Sequence, residues 1–234
     1  MATAKRHIID LETAPYYHCM SRCVRQAFLC GKDKYTGQDY EYRRDWVESW
    51  LLKLTQAFCI DVVAYAVMPD QYHVILHVDM VKWKGLSDEE VIDRHFMIRS
   101  RNPLLEHYRN GGEVSESERR EIKRTLRIWR DNLINISRFK GYINEKIARS
   151  ANREDGCTGR FWEGRLYSRA LLDEAAVLKC MTYIDLDPIR SGISDTLEGF
   201  DNTSARHQLG KRCQEQADQF MAFLQKHHIQ INQE

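Results

Sequence analysis

Two apolar stretches on either side of a proline constrain the fold of this chain more than any other feature. The first, IDVVAYAVM at positions 60–68, is rich in β-branched residues, and the second, QYHVILHVD, begins after Pro69 and Asp70. Such residues favour strands, and proline is excluded from the interior of a paired strand. The pattern predicts two buried strands separated at Pro69, with Gln71, His73 and His77 on one side of the second.

The neighbouring segments supply the remaining elements of a sandwich. YYHCMSRCVRQAFL (16–29) has the composition of a strand, and YRRDWVESWLLKLTQAF (42–58) has its apolar residues at helical spacing. CTGRFWEGRLYSRALL (157–172) predicts a loop and a short strand, and DEAAVLKCMTYIDLDPIRSG (173–192) predicts a helix that Asp173 caps. This order predicts the α+β class, with a ferredoxin-like or RRM-like antiparallel sheet, helices on one face and a helical insertion.

The composition changes along the chain and suggests how it is divided. Residues 1–80 form the first part of the core, 81–155 a basic helical insertion, 156–210 the second part of the core, and 211–234 a C-terminal helix or tail. Positions 119–153 carry eleven Arg or Lys residues and three acidic ones, a surplus of eight positive charges in a chain whose net charge is +1. A positive field of this kind suits a polyanion.

Cysteine usage and hydropathy indicate the compartment. The seven cysteines form no CxxC pair, which favours reduced structural thiols over a disulfide framework or a zinc ribbon. The longest apolar run is far shorter than the roughly 20 residues that span a bilayer, and the N-terminus has no apolar signal core. We therefore expect a cytoplasmic protein, associated with the nucleoid if it binds DNA, and no membrane partner.

Two short segments carry residues suited to chemistry. On the strand after Pro69, Gln71 and His73 lie roughly 7 Å apart, within reach of one ion, whereas His77 is about 13 Å from His73. On the last helix, Lys179, Tyr183 and Asp187 are spaced four residues apart and share a face, with Val177, Met181 and Ile184 on or near another. Either segment alone is equally typical of an ordinary sheet face or helix end.

Together the segments resemble one family. AVMPDQYHVILH, GRFWEGRLYSRALLDEAA and YIDLDPIRSG are similar to three sequence blocks of the REP-associated tyrosine transposases, a branch of the HUH endonuclease superfamily, and YHCMSRCVRQAFLCGKD resembles the first strand of that family. The resemblance runs from about Tyr17 to Gly210. It implies a ferredoxin-like core that cleaves and rejoins single-stranded DNA beside a hairpin of a repetitive extragenic element, through a 5′-phosphotyrosine intermediate.

The resemblance also implies roles for individual residues. Tyr183 corresponds to the nucleophile, His73 to the second histidine of the His-hydrophobic-His motif, Tyr72 to its hydrophobic residue, and Asp187 to the helix-borne metal ligand. Gln71 stands where the family has the first histidine. Because Gln71 and Asp187 both offer oxygen donors, we expect weak binding of Mg²⁺ or Mn²⁺. Lys179 is placed to favour the phenolate of Tyr183.

DNA binding is expected from basic and aromatic side chains. The candidates are Arg22, Arg25, Arg119, Arg120, Lys123, Arg124, Arg127, Arg130 and Arg165 on phosphates, and Phe161 and Trp162 on unpaired bases. Two alternatives remain open: a catalytically weak or inactive hairpin-DNA-binding regulator, which Gln71 favours, and an RNA-binding module of the RRM type. A homodimer that shares tyrosine helices is also compatible with the sequence.

Overall fold

The computed structural model describes residues 14–24, 29–33, 36–164 and 167–190. Four strands and seven helices follow one another in these ranges. They are β1 (Tyr16–Arg22), α1 (Arg43–Ala57), β2 (Ile60–Val67), β3 (Gln71–Val78), α2 (Met80–Gly85), α3 (Asp88–Ile98), α4 (Pro103–Arg109), α5 (Glu116–Asn132), α6 (Ile136–Glu154), β4 (Tyr167–Leu171) and α7 (Glu174–Arg190). The predicted C-terminal helix or tail at 211–234 lies outside the described residues.

The strands form one antiparallel sheet in the order β2-β3-β1-β4. Strands β2 and β3 are joined by a tight connection at Pro69, where the amide of Met68 donates to the carbonyl of Gln71 at 2.8 Å. The two strands predicted on either side of the proline are therefore confirmed. So is the α+β class, because the strand order and directions are those expected of a ferredoxin-like sheet.

One face of the sheet packs against α1 and α6. Phe58, which follows α1, meets Phe139 of α6 with ring centroids 5.4 Å apart, and both lie in the main core. At the other end of this layer, the buried guanidinium of Arg43 pairs with Glu154 at 3.0 Å and with Asp155. Helix α6 falls inside the range predicted as an insertion, yet its apolar stripe belongs to the main core.

Helix α7 packs on the opposite face. Val177 and Ile184 of α7 contact Ala64 and Ala66 of the edge strand β2 and Ile75 of its neighbour β3. The prediction of helices on one face thus holds for α1 and α6 and not for α7. The physical reason is visible in β2, whose side chains are apolar on both faces, as expected of a strand covered on both sides.

Helices α2 to α5 bury a second cluster of side chains beside the main core. Its centre contains Val91 and Ile92 of α3, Leu105 of α4, and Ile122 and Leu126 of α5. Ser87 and Ser115 cap α3 and α5 with capping boxes, which fixes where these helices begin. Within the described ranges, no helix is both long and apolar enough to cross a membrane.

Candidate active site

The α7 face of the sheet holds a pair of histidines. Side chains alternate along a strand, so His73 of β3 faces α7 while Tyr72 faces the main core. His18 of β1 lies on the same face as His73, because β1 pairs with β3 in a register that sets Met20 against His73 and His18 against Ile75. Nε2 of His18 lies 3.0 Å from Nδ1 of His73, and the rings are stacked with centroids 5.2 Å apart.

Helix α7 adds a carboxylate and a phenol to the histidine pair. Oδ2 of Asp187 lies 3.4 Å from Nε2 of His73, and both side chains are buried. One turn earlier on the same helix face, the Tyr183 ring lies 6.2 Å from the His73 ring in an edge contact. Tyr183 is 41% exposed, so solvent and a large substrate have access to it. Residues more than a hundred positions apart in the sequence therefore converge here.

Burial keeps both imidazoles neutral at physiological pH. Desolvation lowers the pKa of His73 to about 4, and the charge of Asp70 opposes the shift. Desolvation also lowers the pKa of His18 to about 4, and the neighbouring His73 and Lys140 act in the same direction. The contact between His73 and Asp187 is thus an approach of a carboxylate to a neutral ring and not an ion pair.

The contact between the two histidines couples the protonation of the two nitrogens that face each other. In a contact between two neutral imidazoles, one nitrogen donates and the other accepts. When Nδ1 of His73 donates to His18, Nε2 of His73 keeps its lone pair, and this atom is buried and makes no hydrogen bond among the described residues. The same contact is satisfied in the opposite tautomer, in which Nε2 of His73 carries the proton and faces the carboxylate of Asp187.

A buried lysine lies beneath the site. Lys140 of α6 is 1% exposed, and its Nζ donates to the carbonyl oxygens of Met20 and Tyr167, both at 2.8 Å. These carbonyls belong to the last residue pair of the β1–β4 ladder. Desolvation lowers the pKa of Lys140 to about 8. Lys140 thus ties α6 to the two strands that carry His18 and Tyr167, and it does not contribute to a solvated basic face.

The donors at His73 and Asp187 fit a divalent cation. Two ligands each about 2.1 Å from a metal lie roughly 3.0 to 3.4 Å apart for coordination angles between octahedral and tetrahedral. The 3.4 Å between Nε2 of His73 and Oδ2 of Asp187 matches this range. Gln71 is half-buried on the same strand face, two residues before His73. Among the described residues, no group of three or more His, Cys, Asp or Glu side chains could hold a metal.

The other residues singled out on α7 and β3 lie on the surface, in the helix–sheet contact or at the helix start. Lys179 is exposed on α7, and His77 contacts Asp61 at 3.5 Å, away from the His73–Asp187 pair as predicted. The α7 face pattern is confirmed for Val177 and Ile184, which are buried. Asp173 caps α7 as predicted, since its side chain accepts from the amide of Ala176 at 2.6 Å.

The predicted phosphate-binding residues divide into two groups. Five side chains of α5 are exposed: Arg119, Arg120, Lys123, Arg124 and Arg127. Arg130 is instead tied to the carbonyl of Leu86 at 2.6 Å and to Asp88 at 2.9 Å, and Arg22 pairs with Asp70 at 3.0 Å. Arg25 and Arg165 lie outside the described residues.

The two aromatic residues before β4 are part of the core. Phe161 is 4% exposed and Trp162 is 9% exposed, and Trp162 Nε1 donates to the carbonyl of Asn144 at 2.8 Å. This burial corrects the expectation that they stack on unpaired bases. The sequence offered a signal, because aromatic residues next to a buried strand are more often packed than exposed.

His18 is the site residue that the sequence reading missed. In YYHCMSR the residues Tyr16, His18 and Met20 alternate with Tyr17 and Cys19, and the latter pair is fully buried. Once Tyr17 and Cys19 are known to be buried, alternation puts His18 on the face away from the main core. What the sequence could not give is the register between β1 and β3, which decides that His18 meets His73.

Comparisons with known proteins add one distant structural likeness. No protein-family model and no curated protein matches the chain. A solved structure described as the REP-associated tyrosine transposase bound to a REP hairpin is similar over 91% of this chain and 88% of that chain, with 12% sequence identity and a TM-score of 0.45. A likeness at this level does not assign a family, so the functional argument rests on the residues of this chain.

Proposed function

We propose that this protein is a DNA-processing enzyme of the tyrosine transposase type, which cleaves and rejoins single-stranded or hairpin DNA through Tyr183. The observation that carries the proposal is the approach of His73, Asp187 and Tyr183. The carboxylate of Asp187 lies 3.4 Å from His73, and the exposed phenol of Tyr183 lies beside the same ring. A nucleophile next to metal-binding donors is the arrangement that phosphodiester cleavage by a side chain needs.

The proposed step exchanges one phosphate ester for another. Oη of Tyr183 attacks the phosphorus, the P–Oη bond forms and the P–O3′ bond breaks. The phenolic proton leaves through solvent and a proton is taken up by the 3′-oxygen, so the products are a 5′-phosphotyrosine and a free 3′-OH. Rejoining is the reverse attack by a 3′-OH, which needs no external energy source because the phosphotyrosine conserves the ester bond.

The surrounding residues orient and hold the groups that this step uses. A tyrosine titrates near pH 10, so only about one phenol in a thousand is ionised at pH 7. A divalent cation held by His73, Asp187 and Gln71 would supply charge stabilisation at the scissile phosphate. In this proposal His18 accepts from Nδ1 of His73, which would leave the Nε2 lone pair for the cation, and the exposed Lys179 favours the phenolate from the solvent side.

Binding of the DNA is assigned in this proposal to the exposed basic residues of α5. Arg119, Arg120, Lys123, Arg124 and Arg127 line the solvent side of the helix, while Ile122 and Leu126 anchor it. Contacts to phosphates release counterions, so affinity should fall steeply with salt concentration.

A second function, hairpin-DNA binding without cleavage, has one observation in its favour. Gln71 occupies the position of an imidazole in the related motif, and no three-residue metal cluster is present among the described residues. A regulator of this kind would keep the fold and the basic helix without needing the phenol.

Labelled oligonucleotides distinguish the two functions. Wild-type protein with a single-stranded or hairpin oligonucleotide and Mn²⁺ or Mg²⁺ should give a covalent adduct that survives denaturing electrophoresis. Tyr183→Phe should abolish the adduct and leave binding within about twofold, whereas Tyr42→Phe is the matched control, because Tyr42 is 42% exposed and lies before α1 on the other side of the sheet.

The outcomes separate cleanly. An adduct that persists in Tyr183→Phe contradicts the assignment of the nucleophile. Binding without any adduct, at millimolar Mn²⁺ and Mg²⁺, favours the regulator. Calorimetry of Mn²⁺ binding with His73→Ala reports the metal directly, and the variant should lose at least tenfold in affinity because the proposed site loses its only imidazole ligand.

A further inference from the structure

The edge strand β4 presents side chains to the same face as the active site. In its pairing with β1, Tyr167 lies opposite Met20, Arg169 opposite His18, and Leu171 opposite Tyr16. Residues directly opposite one another in an antiparallel pair share a face. Tyr167 and Arg169 therefore lie on the face that carries His18 and His73, at the open edge of the sheet where β4 has no further neighbour among the described strands.

The ring of Tyr167 is held at one side and open at the other. The ring meets the His18 ring in an edge contact with centroids 5.7 Å apart. The backbone carbonyl oxygen of Tyr167 accepts a hydrogen bond from Lys140. Tyr167 is nevertheless 42% exposed. Ring contacts of 5.7, 5.2 and 6.2 Å thus lead from Tyr167 through His18 and His73 to Tyr183. The two exposed phenols therefore lie at opposite ends of one row of ring contacts, which passes through the buried His73.

Arg169 lies opposite His18 in the β1–β4 pairing, on the face of the sheet that α7 covers. Arg169 is exposed, and it forms no ion pair with any side chain that the structure describes. Burial raises the pKa of Cys180 on α7 to about 11, and Arg169 opposes that rise. Arg169 therefore lies opposite His18 and its charge also acts on a side chain of α7.

The charges around this surface favour an anion. Arg169 is the exposed cation of this part of the sheet, whereas Lys140 is buried against two backbone carbonyls and Asp187 is buried against His73. An exposed aromatic ring beside an arginine suits a nucleotide, because a base stacks on the ring while the guanidinium binds the phosphate. A peptide carboxylate would use the arginine and leave the ring without a flat partner.

We propose that Tyr167 and Arg169 form a binding site for one unpaired nucleotide, whose base stacks on Tyr167 and whose phosphate pairs with Arg169. The occupant is single-stranded nucleic acid that crosses the β4 edge toward Tyr183. This inference deepens the proposed function, since it names the residues that would hold the strand next to the nucleophile. The site does not depend on the bond-breaking step, so it can be tested in a protein that cannot cleave.

Binding in the Tyr183→Phe background tests the site without cleavage. The probe is a short single-stranded DNA with 2-aminopurine at successive positions, whose fluorescence is quenched when the base stacks. One position should be quenched on binding. Tyr167→Ala should remove that quenching and weaken binding by roughly tenfold, whereas Tyr167→Phe should keep both. Tyr42→Ala is the control for loss of an equally exposed ring.

Salt dependence tests the arginine. Arg169→Gln should lower the slope of log affinity against log salt by about 0.7, the value for one phosphate contact on a single strand, while Arg169→Lys should keep it. Arg101→Gln is the control, because the Arg101 side chain is 71% exposed and pairs with Glu106 between α3 and α4.

The outcomes of these binding measurements distinguish the nucleotide site from the proposed cleavage. Quenching and affinity that are unchanged in Tyr167→Ala and Arg169→Gln overturn the inference, and so does absence of any binding by the parent protein. Loss of binding in these variants supports the nucleotide site, and when the protein that retains Tyr183 also forms no adduct, that second result contradicts only the proposed cleavage. A matched RNA strand that binds equally supports a general single-strand site.

Discussion

Replacement of Tyr72 by Phe should destabilise the protein through a buried hydrogen-bond network that lies directly behind the active site. Tyr72 is fully buried, and its hydroxyl donates to Oδ1 of Asn144 at 2.7 Å. Nδ2 of Asn144 donates to Oγ of Ser21 at 3.0 Å, and Oγ of Ser21 donates to the Tyr72 hydroxyl at 3.3 Å. The triangle joins β1, β3 and α6.

The size of the effect follows from what the variant leaves behind. Phe keeps the ring and its edge contact with Trp162, whose centroid is 5.6 Å away, so the loss of packing is small. Asn144 loses its short hydrogen bond inside the core, and a buried acceptor without a partner costs about 1–3 kcal/mol. The Ser21 contact is longer and contributes less. We expect the free energy of unfolding to fall by about 2 kcal/mol.

Urea unfolding followed by circular dichroism measures this change. The midpoint should shift with an unchanged slope, because the surface exposed on unfolding is the same. The matched control is Tyr183→Phe, an exposed phenol for which we expect less than about 0.5 kcal/mol. A double-mutant cycle with Ser21→Ala should give a coupling energy above about 0.5 kcal/mol. A Tyr72→Phe protein as stable as the wild type would refute the reasoning.

Two further predictions concern stability. Desolvation lowers the pKa of the buried His95 to about 4, below the unfolded value of 6.5. As the pH falls from 6.5 to about 4, the unfolded chain therefore binds a proton at this histidine before the folded protein does. The free energy of unfolding should fall by about 3 kcal/mol across this pH range. His95→Gln should flatten this part of the urea-midpoint profile against pH, the exposed His107→Gln should not, and equal profiles would contradict the assignment. Arg43→Met should lower the free energy of unfolding by about 1 kcal/mol in urea titrations, because the solvent-exposed Glu154 and Asp155 lose the hydrogen bonds of Arg43 but keep contact with water. A loss of about 3 kcal/mol or more would show that the carboxylates behave as buried charges.

Strand alternation carried most of what could be predicted. It correctly separated Tyr72, which packs in the main core, from His73, which faces α7. The proline, rather than alternation, correctly predicted the position of the β2–β3 connection at Pro69. These outcomes depend only on the period of a strand and on the missing amide of proline, which are local properties of the sequence.

Non-local pairing limited the rest. His18 could be assigned to a face, but its contact with His73 depends on the β1–β3 register, which no short stretch of sequence encodes. Lys140 counts as one of the basic residues of 119–153, yet it is buried against two carbonyls. A count of charges cannot distinguish a solvated lysine from a buried one that donates to the carbonyls at the end of a strand pair, because the two differ only in their tertiary surroundings.

The small side chains beneath α7 explain how the site can form at all. Ala64 and Ala66 of β2, with Ile75 of β3, make up the surface on which Val177 and Ile184 rest. Short side chains let a helix approach a sheet closely, and this approach determines whether a carboxylate on the flank of α7 comes within ligand distance of a strand imidazole. Larger residues at these alanines would lift the helix while the main core on the other face stayed intact. The distance between Asp187 and His73 therefore depends on the apolar packing of α7 against Ala64 and Ala66.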